Sequence, residues 1–198
     1  MTAYVIGILG THSTGKTTLA KILKQFLEGR GYSVYMIAEP ARKFKREDLG
    51  KYETQKAIIK TIINGIRENI NKYDIIITDR TPLDSFAYTL YYMIDRDWDP
   101  DLADDILDEY INIMEFVNEY YDVLIYTNNR NKLPLVDDGF RWTDKRSRNF
   151  VDLFVKILFD LYYGHKIIWN IHIPVEDLVN KILEYIEEQK YGSNVKRS

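Results

Sequence analysis

A three-layer α/β fold, with a five-stranded parallel sheet and helices on both faces, is what the order of apolar segments in this chain predicts. Three observations carry that expectation. Short apolar runs at 4–9, 33–38, 75–78, 122–127 and 166–170 alternate with longer segments whose apolar residues recur at helical spacing. The third run, Ile75-Ile76-Ile77-Thr78, is continuously apolar and β-branched, as expected of a strand buried on both faces of a parallel sheet. The first run, Tyr4 to Leu9, leads straight into Gly10-Thr11-His12-Ser13-Thr14-Gly15-Lys16-Thr17, which fits the pattern of a phosphate-binding loop between a strand and a helix.

After that loop, Leu19, Ala20, Ile22, Leu23, Phe26 and Leu27 fall on one helical face, with Lys21, Lys24, Gln25 and Glu28 opposite. Gly29-Arg30-Gly31 ends this helix, and a second strand from Ser33 to Ala38 closes at Glu39-Pro40. Ala41 to Lys51 is basic and irregular, and the stripe Ile59, Ile62, Ile63, Ile66 and Ile70 then predicts a helix over about 53 to 72. The third strand ends at Asp79-Arg80, and Pro82 suits the first turn of a helix over about 82 to 94. A polar turn from Asp95 to Asp101 precedes an acidic amphipathic helix marked by Leu102, Ile106, Tyr110, Ile113 and Val117, which feeds a fourth strand from Asp122 to Thr127.

Asn128 to Asp144 has no periodicity, and loops of that length inside a compact domain are usually functional or mobile. The basic residues Arg141, Lys145, Arg146 and Arg148 follow, at the start of a helix reaching about Tyr163. A fifth strand from Lys166 to Asn170 and a last helix over about 175 to 188 complete the pattern. The expected organisation is a single domain over 1–189, with a lid at about 128–148 and a disordered tail at 190–198.

Composition narrows the function classes. A net charge of −3 over 198 residues gives no basic face for duplex nucleic acid to follow, so a nucleic-acid partner is not favoured and any such site would be local. No cysteine is present, which excludes disulfides and thiolate metal sites. With no signal peptide and no apolar run near 18 residues, the expectation is a cytoplasmic protein without a membrane partner. The oligomeric state is open, a homodimer among the options.

The loop residues match the needs of a triphosphate. Gly10 and Gly15 let the backbone bend and approach closely. The amides of Thr11, His12, Ser13 and Thr14, with those of Lys16, Thr17 and Thr18 at the helix start, face phosphate oxygens; Lys16 can reach the β and γ phosphates of ATP, and the Thr17 hydroxyl can ligate Mg²⁺. Ligands of open parallel sheets bind beyond the carboxyl ends of the strands, where Glu39, Asp79 and Arg80 also stand. Asp79 is a candidate for the Mg²⁺ shell opposite Thr17, and Arg80 for a bidentate clamp on a phosphate oxygen. Glu39 is a candidate general base toward an acceptor hydroxyl, while Arg42, Lys43, Lys45 and Arg46 beside it form either a solvated charge run or an anion site. Arg141, Lys145, Arg146 and Arg148 are the lid cations; a solvated helix start would favour acidic residues instead. Trp98 and Trp142 read as packing residues that could also stack on a base.

Taken together, Gly10 to Thr17, Ala38-Glu39-Pro40-Ala41-Arg42, Thr78-Asp79-Arg80-Thr81-Pro82-Leu83-Asp84 and Asp138-Gly139-Phe140-Arg141 resemble the phosphate-loop nucleoside and nucleotide kinases, in particular the ATPase-like group that contains the nicotinamide-riboside kinase domain. The Glu-Pro and Asp-Arg elements are also similar to those of deoxynucleoside and thymidylate kinases. The resemblance implies the P-loop NTPase fold, and ATP- and Mg²⁺-dependent transfer of a γ-phosphoryl group to a nucleoside or nucleoside monophosphate. It further implies Glu39 at the acceptor, Asp79 and Arg80 at metal and phosphate, and Arg141 with Arg146 or Arg148 at ATP. A polynucleotide 5′-hydroxyl kinase, or an ATPase or nucleotide switch acting on a protein partner, are the alternatives. Deoxynucleoside kinases have Glu where Asp79 stands, and thymidylate kinases a Gly-Gly run where Ala41-Arg42 stands, so the acceptor is open.

Overall fold

The structure is a computed structural model that describes residues 2–95, 99–127, 145–160, 166–170 and 173–195, the last strand and residues 190–195 by backbone alone. Five strands form one sheet in the order β2-β3-β1-β4-β5, every neighbouring pair parallel. They are β1 (Tyr4–Leu9), β2 (Val34–Ile37), β3 (Ile75–Asp79), β4 (Val123–Thr127) and β5 (Lys166–Asn170), each where the apolar runs predict one. The six α-helices among the described residues are α1 (Lys16–Gly29), α2 (Tyr52–Asn69), α3 (Pro82–Asp95), α4 (Ala103–Tyr120), α5 (Lys145–Asp160) and α6 (Val175–Val195).

The pleat sorts the sheet into two cores. Ile6, Ile8, Ile75, Ile77, Val123 and Ile125 face α1 and α6, whereas Val5, Leu9, Ile76, Leu124 and Tyr126 face α2 to α5. Both faces are therefore covered, which is why β3 and β4 are buried at every position and need no polar alternation. Helix α1 buries Leu19, Ala20, Leu23 and Leu27 of the stripe expected of it, whereas Ile22 is half-buried and Phe26 is exposed. Among the described residues no helix is long and apolar enough to cross a membrane.

Two boundaries differ from expectation. The Ala41–Lys51 segment holds short 3-10 turns at Pro40–Lys43 and Arg46–Asp48, the first opened by Pro40 directly behind Glu39. Helix α6 passes its expected end near 188 and takes in residues 190–195 of the segment read as a tail, because Glu187, Glu188, Gln189 and Lys190 are good helix formers that let it continue beyond its last apolar anchor.

Register determines what meets at the carboxyl edge. Ile8 pairs with Asp79 and Leu9 with Tyr126, so the phosphate loop leaves β1 between the ends of β3 and β4. Beneath it, Gly7 leaves room for its neighbours: a Cβ there would lie 2.6 Å from Thr81 Cγ2, 2.7 Å from Tyr121 Cε1 and 2.9 Å from Leu124 Cδ2. Gly7→Ala therefore overpacks a site that holds the turn into α3, and it should cost about 1–3 kcal/mol, read as a lower urea midpoint at unchanged m-value.

Candidate active site

The loop is built around backbone that only glycine adopts freely. Gly10 has φ +139° and Gly15 φ +88°, and a Cβ on Gly10 would stand 2.6 Å from the Thr127 carbonyl oxygen. Thr127, the last residue of β4, donates its hydroxyl to the Leu9 carbonyl at 3.1 Å and lies 2.8 Å from the Thr14 hydroxyl, so β4 grips the loop from the side. Lys16 opens α1 and turns back across the loop, donating to the carbonyls of Gly10 at 2.7 Å and Thr11 at 2.6 Å. Burial is the main reason its pKa is lowered to about 8; Arg80 acts in the same direction, opposed by Asp84, Glu39 and Asp79. Thr17 donates its hydroxyl to Asp79 Oδ2 at 2.6 Å. Thr18, in the first turn of α1, is exposed.

Beside the loop sits a buried charge cluster. The Arg80 guanidinium reaches Glu39 Oε1 from Nε at 2.7 Å and from Nη2 at 2.6 Å, its Nη1 is 3.6 Å from Asp84 Oδ2, and it lies 5.1 Å from the centroid of the Tyr88 ring. Glu39 in turn accepts from Arg42 Nε through its other oxygen at 3.1 Å. Burial works against the charge of Arg80, but Glu39, Tyr88 and Asp84 outweigh it and raise its pKa further. Burial raises the pKa of Asp84, against the opposing pull of Arg80, Lys16 and the hydrogen bonds from Thr81. Arg80 itself has φ +98°, a conformation costly for a residue with a Cβ, so the surrounding bonds hold it there.

Helix α3 supplies that hold. Asp84 Oδ1 accepts from the Thr81 amide at 2.6 Å while the Thr81 hydroxyl accepts from the Asp84 amide at 3.4 Å, a reciprocal cap that fixes both the helix start and the carboxylate. One turn on, the Tyr88 hydroxyl accepts from the His12 amide at 3.1 Å and lies 3.1 Å from His12 Nδ1. Arg80, Asp84 and Tyr88 thus follow one another at four-residue spacing and join the β3 end to the loop.

A cavity enclosing about 570 Å³ of empty space, open solvent at its mouth included, adjoins this cluster. Its wall holds His12, Glu39, Arg80 and Tyr88 together with Gln55, Ile58, Tyr91 and Tyr92, with Ser147 contributed by α5. Gln55 is locked by donating its amide to the Leu49 carbonyl.

The structure brings Lys16, Thr17, Glu39, Asp79 and Arg80 together. Of the lid cations, Arg148 reaches the loop, donating from Nη2 to the Ser13 carbonyl at 3.2 Å, whereas Arg146 is exposed and its guanidinium lies 5.8 Å from the Phe150 ring. Arg141, Trp98, Trp142 and the lid segment before Lys145 lie outside the described residues. Sequence reasoning missed Thr127, Tyr88 and the role of Asp84; the four-residue ladder from Arg80 was the available signal for the latter two.

A family model described as an AAA domain matches residues 5–171. The chain belongs to the AAA-domain family. Relatives within curated proteins include one from Thermoplasma volcanium named as a probable thymidylate kinase, 32% identical over 96 residues that make up 43% of this chain and 46% of that protein. Its counterpart from Thermoplasma acidophilum, named in the same way, is 34% identical over 94 residues, 42% of this chain and 45% of that one. The chain spans about half the length of the curated relatives it matches. Among solved structures, the deoxyadenosine kinase from M. mycoides with bound dATP superposes with a TM-score of 0.66 at 17% identity, over 92% of this chain and 99% of that one. The thymidylate kinase from Candida albicans does so with a TM-score of 0.64 at 16% identity, over 96% and 93%. The α/β phosphate-loop fold and the resemblance to nucleoside and nucleotide kinases are thereby borne out.

Removing Glu39 leaves the buried Arg80 with one carboxylate neighbour at 3.6 Å. Glu39→Ala should lower stability by about 3 kcal/mol, measured by urea unfolding. The double variant Glu39→Ala/Arg80→Leu should recover part of that loss, because the unpaired guanidinium is gone and the one charged group that loses a partner, Asp84, already has its pKa raised by burial.

Proposed function

We propose that this protein is an ATP-dependent kinase that transfers the γ-phosphoryl group to a nucleoside or a nucleoside monophosphate. One observation carries the reading: the phosphate loop and an aromatic-lined cavity meet at a single charge cluster, so a donor phosphate on the loop and an acceptor in the cavity would approach each other at Lys16, Glu39 and Arg80. The printed identities of the relatives and neighbours, thymidylate and deoxyadenosine kinases, agree with that class.

In this reading the loop amides and Lys16 bind the donor phosphates, and the Lys16 ammonium, now bonded to the Gly10 and Thr11 carbonyls, exchanges those bonds for phosphate oxygens. Arg80, held rigid by Glu39, Asp84 and Tyr88, orients the oxygen that is transferred to or from, and costs little reorganisation because its position is already fixed. Arg148, seated on the loop at Ser13, is the α5 cation nearest the donor. The residues fit Mg²⁺: Thr17 and Asp79 present oxygen donors, and Asp79 Oδ1 is buried with no hydrogen-bond partner among the described residues. In this reading the ion would be held by Thr17, Asp79 and the substrate phosphates. When bound, it would neutralise phosphate charge as transfer proceeds.

The acceptor follows from how Glu39 is used. Both its oxygens already accept from guanidinium groups, so to take a proton from a hydroxyl it would bring a remaining lone pair to bear. Arg42, by contrast, is half exposed beside the cavity and could reach an acceptor that carries phosphate. Glu39→Gln should slow transfer to a nucleoside mainly through kcat, whereas Arg42→Ala should raise KM for a monophosphate.

The test is ATP consumption against nucleosides, nucleoside monophosphates, nicotinamide riboside and 5′-hydroxyl oligonucleotides. Stimulation by a small acceptor, lost in Lys16→Ala, supports the proposal. Stimulation by the oligonucleotide alone, falling steeply with salt, points to polynucleotide ends; no stimulation by any of them points to a nucleotide switch.

The lowered pKa of Lys16 adds a pH signature. Below about 8 the ammonium is already protonated and its charge opposes folding, a cost that lifts as pH rises from about 8 toward 10.5. Nucleotide binding favours the ammonium, so ATP affinity should be flat below pH 8 and fall by up to about tenfold per unit above it. Calorimetry near pH 8 in two buffers of different ionisation enthalpy should show proton uptake.

A further inference from the structure

Helix α4 carries a carboxylate that the chain encloses without a donor. Glu109 is half-buried, and its Oε2 is shut away from solvent with no hydrogen-bond partner among the described residues. It stands between Ile106 and Ile113, the buried residues that seat this part of α4 in the core shared with Tyr52 and Ile59 of α2. Of the charges that face it from α2, Glu53 repels it and Lys56 attracts it. Asp105 and Asp108 of α4 add like charge to the same cluster, as their action on the Tyr52 phenol shows. Burial first, then Glu109, Asp105, Glu53 and Asp108, push that phenol up to about 12, so Tyr52 stays neutral throughout. Lys56 is exposed and holds its ammonium 5.0 Å from the centroid of the Tyr52 ring, with no ion pair to Glu109.

The start of α2 also walls the cavity. Gln55 lies three residues after Tyr52 and donates to the carbonyl of Leu49, and Gln55, Ile58 and Leu49 all line that space. A change in how α4 packs on Tyr52 therefore reaches the wall through one helical turn.

We propose that Glu109 is a proton-operated latch between α4 and α2: protonated, it lets α4 close on Tyr52 and hold the first turn of α2 against the cavity, and ionised, it loosens that contact. The enclosed oxygen is the reason, since a neutral carboxyl is buried at far lower cost than a charged one that lacks a donor. Burial, with a smaller push from Glu53 and against the pull of Lys56, raises the Glu109 pKa to about 7. A carboxyl raised in this way adds stability that is complete below its ordinary value of 4.5 and is lost as pH rises through about 7. The latch stands without the proposed function; its effect on an acceptor rests on that reading.

Carbon-13 NMR of the side-chain carboxyls in the whole chain, with Glu109→Gln to assign the signal, tests the proposal. The Glu109 resonance should titrate near pH 7, at higher pH in Lys56→Met and at lower pH in Glu53→Gln. From about pH 5 to about pH 8 the urea midpoint of the wild type should fall by more than that of Glu109→Gln. Asp84, whose pKa is also raised, is present in both proteins and drops out of the difference. Amide hydrogen exchange at residues 52–56, corrected for its intrinsic pH dependence, should quicken from about pH 6 to about pH 8 in the wild type and not in Glu109→Gln. With ATP and deoxyadenosine, an acceptor without a phosphate to titrate, KM for deoxyadenosine should rise over the same interval by up to about tenfold per pH unit, again in the wild type alone. A Glu109 carboxyl that titrates below about pH 5 overturns the latch. So does exchange at 52–56 that is equal in the two proteins at both pH values. A level KM beside quickened exchange overturns the link to the cavity. Titration and exchange as expected, with no turnover of deoxyadenosine, would uphold the latch and count against the kinase reading for that acceptor.

Discussion

The site depends on a buried arginine held where its backbone would not rest by itself. Arg80 follows the last residue of β3 with φ +98°, and its guanidinium is enclosed by Glu39 from the β2 edge and by Asp84 and Tyr88 from α3. An ion pair so placed contributes little net stability, since desolvation offsets most of the attraction. Its effect is to fix geometry: the end of β2, which a long crossover separates from β3, and the turn from β3 into α3 are tied to one planar group. The loop is then tied to the same group through the Tyr88 hydroxyl on the His12 amide.

The cluster also explains an electrostatic balance. Lys16 and Arg80 are both buried and mutually repulsive, and burial together with that repulsion lowers the Lys16 pKa to about 8. Three carboxylates offset the two cations: Glu39 just after β2, Asp79 at the end of β3 and Asp84 in the first turn of α3. Lys16 is the cation of this set that lies across the loop, donating to the Gly10 and Thr11 carbonyls. Perturbed titration of this sort, in a cleft and with named partners, is a marker of functional sites.

Much of this was legible in the residues. Continuous β-branched runs marked the strands, because a parallel sheet covered on both faces removes the need for polar alternation, and the glycine spacing of 10–17 marked the loop, because only that backbone lets amides converge. Glu39, Asp79 and Arg80 could be assigned to strand ends from where the apolar runs stop. What one dimension did not carry was which lid arginine meets the loop: Arg146 and Arg148 are two residues apart and so point to different sides of α5, and only packing of that helix on α3 turned Arg148 inward and left Arg146 at the surface. The grip of Thr127 on Thr14 was hidden for a similar reason, joining positions brought side by side only by the pairing of β1 with β4. The extension of α6 was missed because apolar spacing ends before helix propensity does.

Phosphorus NMR of the whole chain with ATP, Mg²⁺ and a mixture of nucleosides and nucleoside monophosphates tests the central claim most directly, because it reports where the γ-phosphoryl group goes. The expected result is a new phosphomonoester or diphosphate resonance on an acceptor, growing as the γ resonance of ATP declines and absent with Arg80→Leu. Decline of the γ resonance into inorganic phosphate alone, at the same rate with and without acceptors, would contradict it.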